Sequence, residues 1–136
     1  MIFNQVRWSR TGDALVFAGY RFIDILDIFS ATFDHETGRA GALIQLTTTT
    51  DRDEREPAWS PNGDRIAFTS TRRVVGAQPV LAIMDREGTQ RQEIYTDGQG
   101  VFTPVWSPDG TRIAYSTDPD HGVIQVYNLV TFGVSV

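Results

Sequence analysis

One ten-residue motif occurs three times in the sequence and constrains the fold more than any other feature. Residues 59–68 read WSPNGDRIAF, residues 106–115 read WSPDGTRIAY, and residues 8–17 read WSRTGDALVF. In the two close copies, a Pro-Asn-Gly or Pro-Asp-Gly turn separates runs of apolar and aromatic residues. Proline presets the φ of an early turn position, and glycine permits positive φ at no steric cost. Each copy therefore predicts a strand, a tight turn and a second strand.

The first copy departs from the other two at its turn. Arg10 stands where the others have proline, and Thr11 stands where they have Asn or Asp. Trp8, Gly12 and the apolar run that follows are retained. We therefore expect a weaker turn in the first copy but the same pair of strands.

The motif recurs as part of a larger unit. Its tryptophans are separated by about 50 residues, and a second turn follows the motif at Asp34 and again at Asp85. After each of these turns comes a short strand that ends in threonine. A period of roughly 40–50 residues with four strands per unit is typical of a β-propeller blade.

We predict an all-β chain that forms a single partial β-propeller over residues 1–136. Its four-stranded antiparallel blades make about three repeats, of which the first and the last are incomplete. With strands counted from the hub outwards, residues 1–13 are an outer strand and turn of a preceding blade. Residues 14–60 are blade one, residues 65–107 are blade two, and residues 112–136 are an incomplete blade three.

Such a chain is not expected to close a ring alone, because propellers use about four to eight blades. It is expected either to be a fragment of a longer propeller or to self-associate through exposed blade edges. In the second case, two copies would form a six-bladed ring, each lending its strand at residues 3–8 to the other.

Composition narrows the range of partners. The net charge is −5 without a Lys/Arg run, which argues against nucleic acid. No apolar run approaches the ~20 residues that a membrane helix needs, so no membrane insertion is expected. The sequence has no cysteine, which excludes disulfides, and its first residues lack the layout of a signal peptide.

The motif, followed by a strand ending in Asp and a glycine turn, resembles the WD-like β-propeller repeat of the TolB type. Related repeats occur in the propellers of prolyl oligopeptidase-like and tricorn-type proteases. The resemblance covers nearly the whole chain, and a TolB-like protein would be periplasmic or extracytoplasmic. It implies that the matching residues build the blades. These structural repeat residues are Trp8, Gly12, Trp59, Pro61, Asn62, Gly63, Trp106, Pro108, Asp109 and Gly110.

The resemblance implies a non-catalytic module that acts as a protein- or peptide-binding scaffold. The alternative is the propeller of a prolyl oligopeptidase-like or other hydrolase whose catalytic domain lies outside this chain. A third hypothesis, a small-molecule or glycan binder, would need polar and aromatic side chains at the hub, and the Arg-Ile-Ala-Phe/Tyr strands supply few.

Catalytic and metal motifs are missing from the sequence. The only histidines are His35 and His121, and no Gly-x-Ser-x-Gly elbow, zinc spacing, phosphate-binding loop or dinucleotide fingerprint occurs. We therefore predict no enzymatic activity, no cofactor and no metal. The tryptophans are expected to be buried between blades near the rim, and Asn62, Asp109, Asp34 and Asp85 are expected to cap turns rather than bind a cation.

We expect partners to bind the longer loops of the scaffold, because variable loops carry most binding functions. These loops are residues 19–26, 48–56, 71–78 and 97–100, and the charged stretch at 51–56 is interpreted as solvated. The candidate partner-binding residues are Asp51, Arg52, Asp53, Glu54, Arg72, Arg73, Asp118 and His121.

Overall fold

The computed structural model describes residues 3–22, 24–96, 98–118, 122–131 and 133–135. Throughout these ranges the regular elements are β-strands, as predicted, and no helix long and apolar enough to cross a membrane occurs among them. The strands are β1 (Phe3–Trp8), β2 (Ala14–Phe22), β3 (Ile25–Asp34), β4 (Arg39–Ala40), β5 (Ile44–Gln45), β6 (Arg52–Trp59), β7 (Arg65–Arg72), β8 (Val80–Asp85), β9 (Gln92–Ile94), β10 (Phe102–Trp106), β11 (Arg112–Ser116), β12 (Ile124–Asn128) and β13 (Gly133–Ser135).

The strands form three antiparallel sheets in chain order. The first has the order β1-β2-β3-β4, with β5 also pairing to β3; the second is β6-β7-β8-β9 and the third is β10-β11-β12-β13. Each sheet is thus an up-and-down meander of at least four strands. The predicted architecture of four-stranded antiparallel blades is confirmed.

The blade boundaries, in contrast, were wrong. Each motif turn joins two strands of the same sheet, because β1 pairs with β2, β6 with β7 and β10 with β11. Since the strands on either side of each motif turn pair with each other, the turn lies within a blade and does not separate two blades. The blades therefore span residues 3–45, 52–94 and 102–135. Residues 3–8 are not a spare strand, and neither the first nor the last blade lacks a strand.

All three motif turns have the same hydrogen bonds, including the divergent one. The amides of Ser9, Ser60 and Ser107 each donate to a carbonyl five residues later at 2.9 Å. The Oγ atom of each serine accepts the amide of that same later residue at 2.9–3.1 Å. The turn glycine has a φ of 71–75° in all three copies. Arg10 and Thr11 therefore do not disrupt the first turn.

Two hydrophobic cores hold the sheets together, because the β7 and β8 side chains alternate between them. Ile66, Phe68 and Met84 pack towards the first sheet, in a cluster that contains Val16 and Ile28. The alternate residues pack towards the third sheet, in a cluster of Ala67, Leu81, Ile83, Ile94, Val101, Ile113, Tyr115 and Tyr127. Burial on both faces is what the continuous apolar runs of these strands favour.

The first strand of each sheet lies at the hub. β6 contacts both β1 and β10, so the three first strands run side by side where the sheets converge. The strand before each motif turn was predicted to be the outermost one; it is the innermost. Consequently the motif tryptophans lie at the hub end of the blade and not near its rim.

Candidate functional site

A groove of about 430 Å³ lies at the hub and takes residues from all three sheets. It is mostly apolar and aromatic, with two arginines and one carboxylate. The residues that line it are Gln5, Arg7, Trp8, Arg10, Glu56, Pro57, Ala58, Trp59, Ser60, Pro61, Thr103, Pro104, Val105, Trp106 and Pro108. We call this surface the hub groove. It is the candidate functional site because equivalent positions of three repeats converge there.

Each inner strand bends into the groove at a β-bulge. The register with the neighbouring strand shifts between Asn4 and Arg7, and it shifts at the equivalent place in β6 and β10. Gln5, Glu56 and Thr103, each three residues before the motif tryptophan, have positive φ values of 55°, 54° and 49°. This conformation costs a non-glycine residue about 1–2 kcal/mol, so something must hold it in place.

Hydrogen bonds between the bulges hold the backbone of two of these residues, Glu56 and Thr103. The amide of Glu56 donates to Oε1 of Gln5 at 2.7 Å, and the amide of Thr103 donates to Oε2 of Glu56 at 2.8 Å. The side chain of one bulge thus accepts a hydrogen bond from the backbone amide of the next bulge around the hub. We call these two bonds the hub chain.

The three tryptophans differ in their exposure. Trp59 and Trp106 are half-buried and pack against the cores on the first-sheet and second-sheet sides, respectively. Trp106 also donates from Nε1 to the carbonyl of Ala58 at 3.1 Å, whereas Nε1 of Trp59 is buried and makes no hydrogen bond. Trp8 is 53% exposed. Trp59 and Trp106 thus pack between blades as expected but are only half-buried, because their indoles also form the wall of the hub groove; Trp8 is not buried.

The turn carboxylates and amides act as caps, as predicted. Oδ1 of Asp109 accepts from the Ser107 hydroxyl at 2.6 Å and from the Thr111 amide at 2.9 Å, and these bonds lower the pKa of Asp109 to about 2. Hydrogen bonds from Thr37 and from Thr89 likewise lower the pKa values of Asp34 and Asp85. No group of three or more potential metal ligands occurs in the described ranges.

A second groove, of about 780 Å³, continues the site over the motif turns. It shares Arg10, Ser60, Pro61, Trp106 and Pro108 with the hub groove and adds Arg65, Asp64 and Asp109. Arg10 therefore extends the positive charge of the hub groove at the position where the other copies have proline. The replacement of the motif proline by Arg10, which makes the first motif copy differ from the other two, thus supplies a charged residue to the groove.

The charged stretch 51–56 is not a solvated loop, and this prediction is corrected. Most of it belongs to β6, and strand alternation places Arg52 and Glu54 on the face that packs towards the first sheet. Arg52 is 9% exposed and Glu54 is fully buried. These two residues are therefore unavailable to a partner. The predicted loop at 19–26 also proved to be mainly strand, since β2 ends at Phe22 and β3 begins at Ile25.

Glu54 and Arg52 belong to a buried ion network. Arg91 bonds Oε1 of Glu54 at 2.9 Å and Oε1 of Glu93 at 2.8 Å, and Arg52 contacts the same Glu93 oxygen at 2.6 Å. Oε2 of Glu54 is buried and makes no hydrogen bond. Burial raises the pKa of Glu54 to about 7, against the opposing effect of Arg91. The pKa of Glu93 lies below its ordinary value: burial acts to raise it, but the hydrogen bond from Tyr95 and the two arginines outweigh the effect of burial.

Four of the remaining loop candidates gather at the end of the second blade farthest from the motif turns. Arg73 contacts the Asp24 carbonyl and lies 3.7 Å from Asp53, whose Oδ1 accepts the Leu26 amide at 3.2 Å. These contacts link the second blade to the first. Asp51 and Arg72 are exposed beside them. Asp118 is exposed on the third blade, and His121 lies outside the described residues.

Residue types alone did not reveal the hub groove. Gln5, Glu56 and Thr103 differ in chemistry and share only their offset from the motif tryptophan. That common offset was the available signal. The offset marks the position of a β-bulge, which is a feature of backbone conformation and cannot be recognised from these residue types.

Solved structures with a similar fold cover nearly the whole chain. The protein described as TolB from Agrobacterium tumefaciens aligns over 99% of this chain with a TM-score of 0.78 and 23% identity. A nidogen/laminin complex aligns over 98% of this chain with a TM-score of 0.74 and 12% identity. A Mycobacterium tuberculosis puromycin-hydrolyzing peptidase also aligns over 98% of this chain, with a TM-score of 0.75 and 14% identity. No protein-family model and no curated protein matches the sequence.

These comparisons and the three meander sheets define the chain as a β-propeller protein. More specifically, its blades have the TolB-type propeller fold. The chain spans 48% of that TolB, 47% of the matched chain in the nidogen/laminin complex and 21% of the peptidase. Neighbours with such different descriptions share the scaffold, so the likeness fixes the fold and leaves the function to the site.

Proposed function

We propose that the chain is a non-catalytic protein- or peptide-binding scaffold and that the hub groove is its binding surface. The observation that carries this proposal is the arrangement of β1, β6 and β10. In the described part of the chain, each of them pairs with one strand only, so its other edge faces the groove. Unpaired strand edges offer backbone donors and acceptors to an extended peptide.

The side chains of the groove suit the same kind of ligand. Tryptophan and arginine are the residue types that contribute most to protein interfaces, and Arg7, Arg10, Trp8 and Trp106 line the groove together. Arg7, Trp8 and Arg10 are exposed. We therefore propose a peptide that inserts an apolar side chain between the indoles and places a carboxylate near the arginines.

Absence of catalysis is part of the proposal. The charged groups of the groove are Arg7, Arg10 and Glu56, and Glu56 is engaged in the hub chain. No nucleophile of the groove is paired with a general base, as nucleophilic catalysis requires. We also propose that the chain binds no nucleic acid, does not insert into membranes, and self-associates through exposed blade surfaces.

Selection from a displayed library of random peptides tests the binding proposal. The affinity of a selected peptide is measured by titration against the unaltered chain, Arg10→Glu and Arg73→Glu. We expect Arg10→Glu to weaken binding by at least about tenfold, in keeping with loss of a central interface arginine, and Arg73→Glu to bind as the unaltered chain does. The reverse order would move the binding surface to the loop face, and failure to select any specific peptide would contradict the proposal.

The alternative is that these blades belong to a hydrolase whose catalytic domain lies elsewhere. The similarity to the peptidase favours it, because this chain corresponds to 21% of that chain. Mass analysis of the native gene product distinguishes the two. A longer polypeptide that contains a serine elbow and a later histidine would support the hydrolase alternative, whereas a product without such a domain would support the scaffold.

A further inference from the structure

The open sides of the first and third blades carry the two halves of a blade–blade interface. Trp59 pairs with Ile66 and faces the first sheet, and Trp106 pairs with Ile113 and faces the second sheet. In each case the motif tryptophan packs towards the preceding blade. Trp8 pairs with Leu15 and therefore faces away from the second sheet, where the described chain has no preceding blade.

We call the open side of the first sheet the leading face; it is defined by Trp8, Leu15 and Phe3, and Phe3 covers the buried rings of Phe17 and Phe29. Its aromatic rings are in contact with one another, since Phe17 and Phe29 stack at 6.1 Å and Trp8 meets Phe33 at 4.9 Å. Trp8 is nevertheless 53% exposed, whereas its counterparts are half-buried by the blade before them. The exposure of Trp8 measures the contact that is missing.

We call the open side of the third sheet the trailing face; it is defined by Val105, Ala114, Ile124 and Val126. Ala114 pairs with Val105 and with Val126, and Ser116 pairs with Ile124, which places these side chains opposite the core that contains Ile113. The equivalent residue to Ile124 in the second blade is Leu81, which is 0% exposed because the third blade covers it. Ile124 itself is 60% exposed.

We propose that the trailing face of one chain binds the leading face of a second copy of the same chain, and that two such contacts close a ring of six blades. This inference rests on the proposed self-association, and its two faces share Trp8 and Val105 with the hub groove. The proposal rests on the blade–blade interfaces within the chain. The two open faces have residues at the repeat positions that form those interfaces, as Trp8 corresponds to Trp59 and Trp106, and Ile124 corresponds to Leu81. A contact between two different faces closes with two copies when both contacts form at once. No strand exchange is needed, since residues 3–8 belong to their own sheet.

The hydrogen bonds within the chain specify how the copies would meet. Trp106 donates from Nε1 to the carbonyl of the residue before Trp59. By the same rule, Trp8 of one copy would donate to the carbonyl of Val105 of the other.

Sedimentation equilibrium of the full chain tests the proposal. We expect a species of twice the 15.2 kDa chain mass, whose population falls on dilution. Ile124→Glu and Trp8→Glu should each be monomeric, because each buries a charge on one face. Val75→Glu is the matched control. Val75 is fully exposed and belongs to neither face, so its substitution should leave the dimer intact.

A mixture of the two monomeric variants tests the polarity of the contact. Ile124→Glu retains a leading face and Trp8→Glu retains a trailing face, so the mixture should form a dimer through one intact interface. Trp8→Phe, which replaces the indole with a smaller ring and removes its N–H, should weaken the dimer of the otherwise unaltered chain by at least about 25-fold, because each of the two contacts loses one hydrogen bond worth about fivefold. This variant also covers the case in which Trp8→Glu fails to fold.

The outcomes separate the two claims. A monomeric unaltered chain would contradict self-association and this inference together. A dimer that survives both Ile124→Glu and Trp8→Glu, or a mixture that stays monomeric, would contradict the proposed faces and leave self-association standing.

Discussion

The amide of Glu56 lies 2.7 Å from Oε1 of Gln5, in the neighbouring blade. The carboxylate of the same Glu56 accepts the Thr103 amide of the blade on its other side at 2.8 Å. One residue therefore ties three blades together at the hub. The bonds also help to hold Glu56 and Thr103 at positive φ, where each would otherwise cost about 1–2 kcal/mol.

The first prediction concerns this link. Glu56→Ala should lower the free energy of unfolding by about 1–3 kcal/mol, because it leaves the Thr103 amide without its acceptor. Glu56→Gln keeps an acceptor oxygen and should cost less than about 0.5 kcal/mol. Urea unfolding at one fixed chain concentration measures both. Equal losses for the two variants would show that the hydrogen bond does not hold the hub.

A second prediction uses the two half-buried tryptophans as a matched pair. Trp106→Phe should cost about 1 kcal/mol more than Trp59→Phe, because only Trp106 donates a hydrogen bond from its indole. Both variants lose the same ring atoms, and Trp59→Phe also removes a buried N–H that has no acceptor, so the difference reports on the indole N–H. The same unfolding measurement checks it, and a larger loss for Trp59→Phe would contradict the bond to Ala58.

The third prediction is a pH dependence that originates at Glu54. Its pKa is about 7 in the folded chain against an ordinary 4.5, so the folded state binds more protons between these values. The stabilisation is complete below pH 4.5 and is lost as the pH rises towards 7, with a slope of up to about one proton. Glu54→Gln should remove this slope. Unfolding curves of both proteins from pH 4.5 to 8 test it, and parallel curves would show that Glu54 does not titrate in this window.

Two glycines of positive φ provide the fourth prediction. Gly63, at φ 75°, has no atom within 4 Å of an added Cβ, whereas a Cβ on Gly88, at φ 82°, would lie 2.6 Å from the carbonyl oxygen of Leu46 in the first blade. Gly63→Ala should cost about 1–2 kcal/mol from the backbone alone. Gly88→Ala should cost about 1–3 kcal/mol more, because the two blades must move apart. Similar losses would mean that the blades do not pack closely at Leu46.

The repeat made the fold readable from the sequence, because the Trp-Ser and Ile-Ala-Phe segments and the turn between them are local features. The grouping of strands into sheets was not, since it depends on which strands pair. The prediction treated the turn before Arg65 as a boundary between blades, whereas the strands on its two sides pair with each other, with Trp59 opposite Ile66.

The candidate site was harder to predict than the fold. Residues 51–56 have the composition of a solvated loop, yet strand alternation buries Glu54 against Arg91, a partner that lies far along the chain. The hub groove depends on bulges at Gln5, Glu56 and Thr103, and no residue type common to the three marks them. The charged composition of a segment indicates solvent exposure only where the segment is a loop; within a strand, the alternation of side chains decides which residues are buried.

Hydrogen exchange with a selected peptide bound tests whether the hub groove is the partner site. We expect new protection of backbone amides at residues 5–10, 55–61 and 103–108, which belong to or follow the inner strands. Amides at 71–78, on the loop face, should exchange as in the free chain. Protection confined to residues 48–53 and 71–78, with none along β1, β6 and β10, would contradict it.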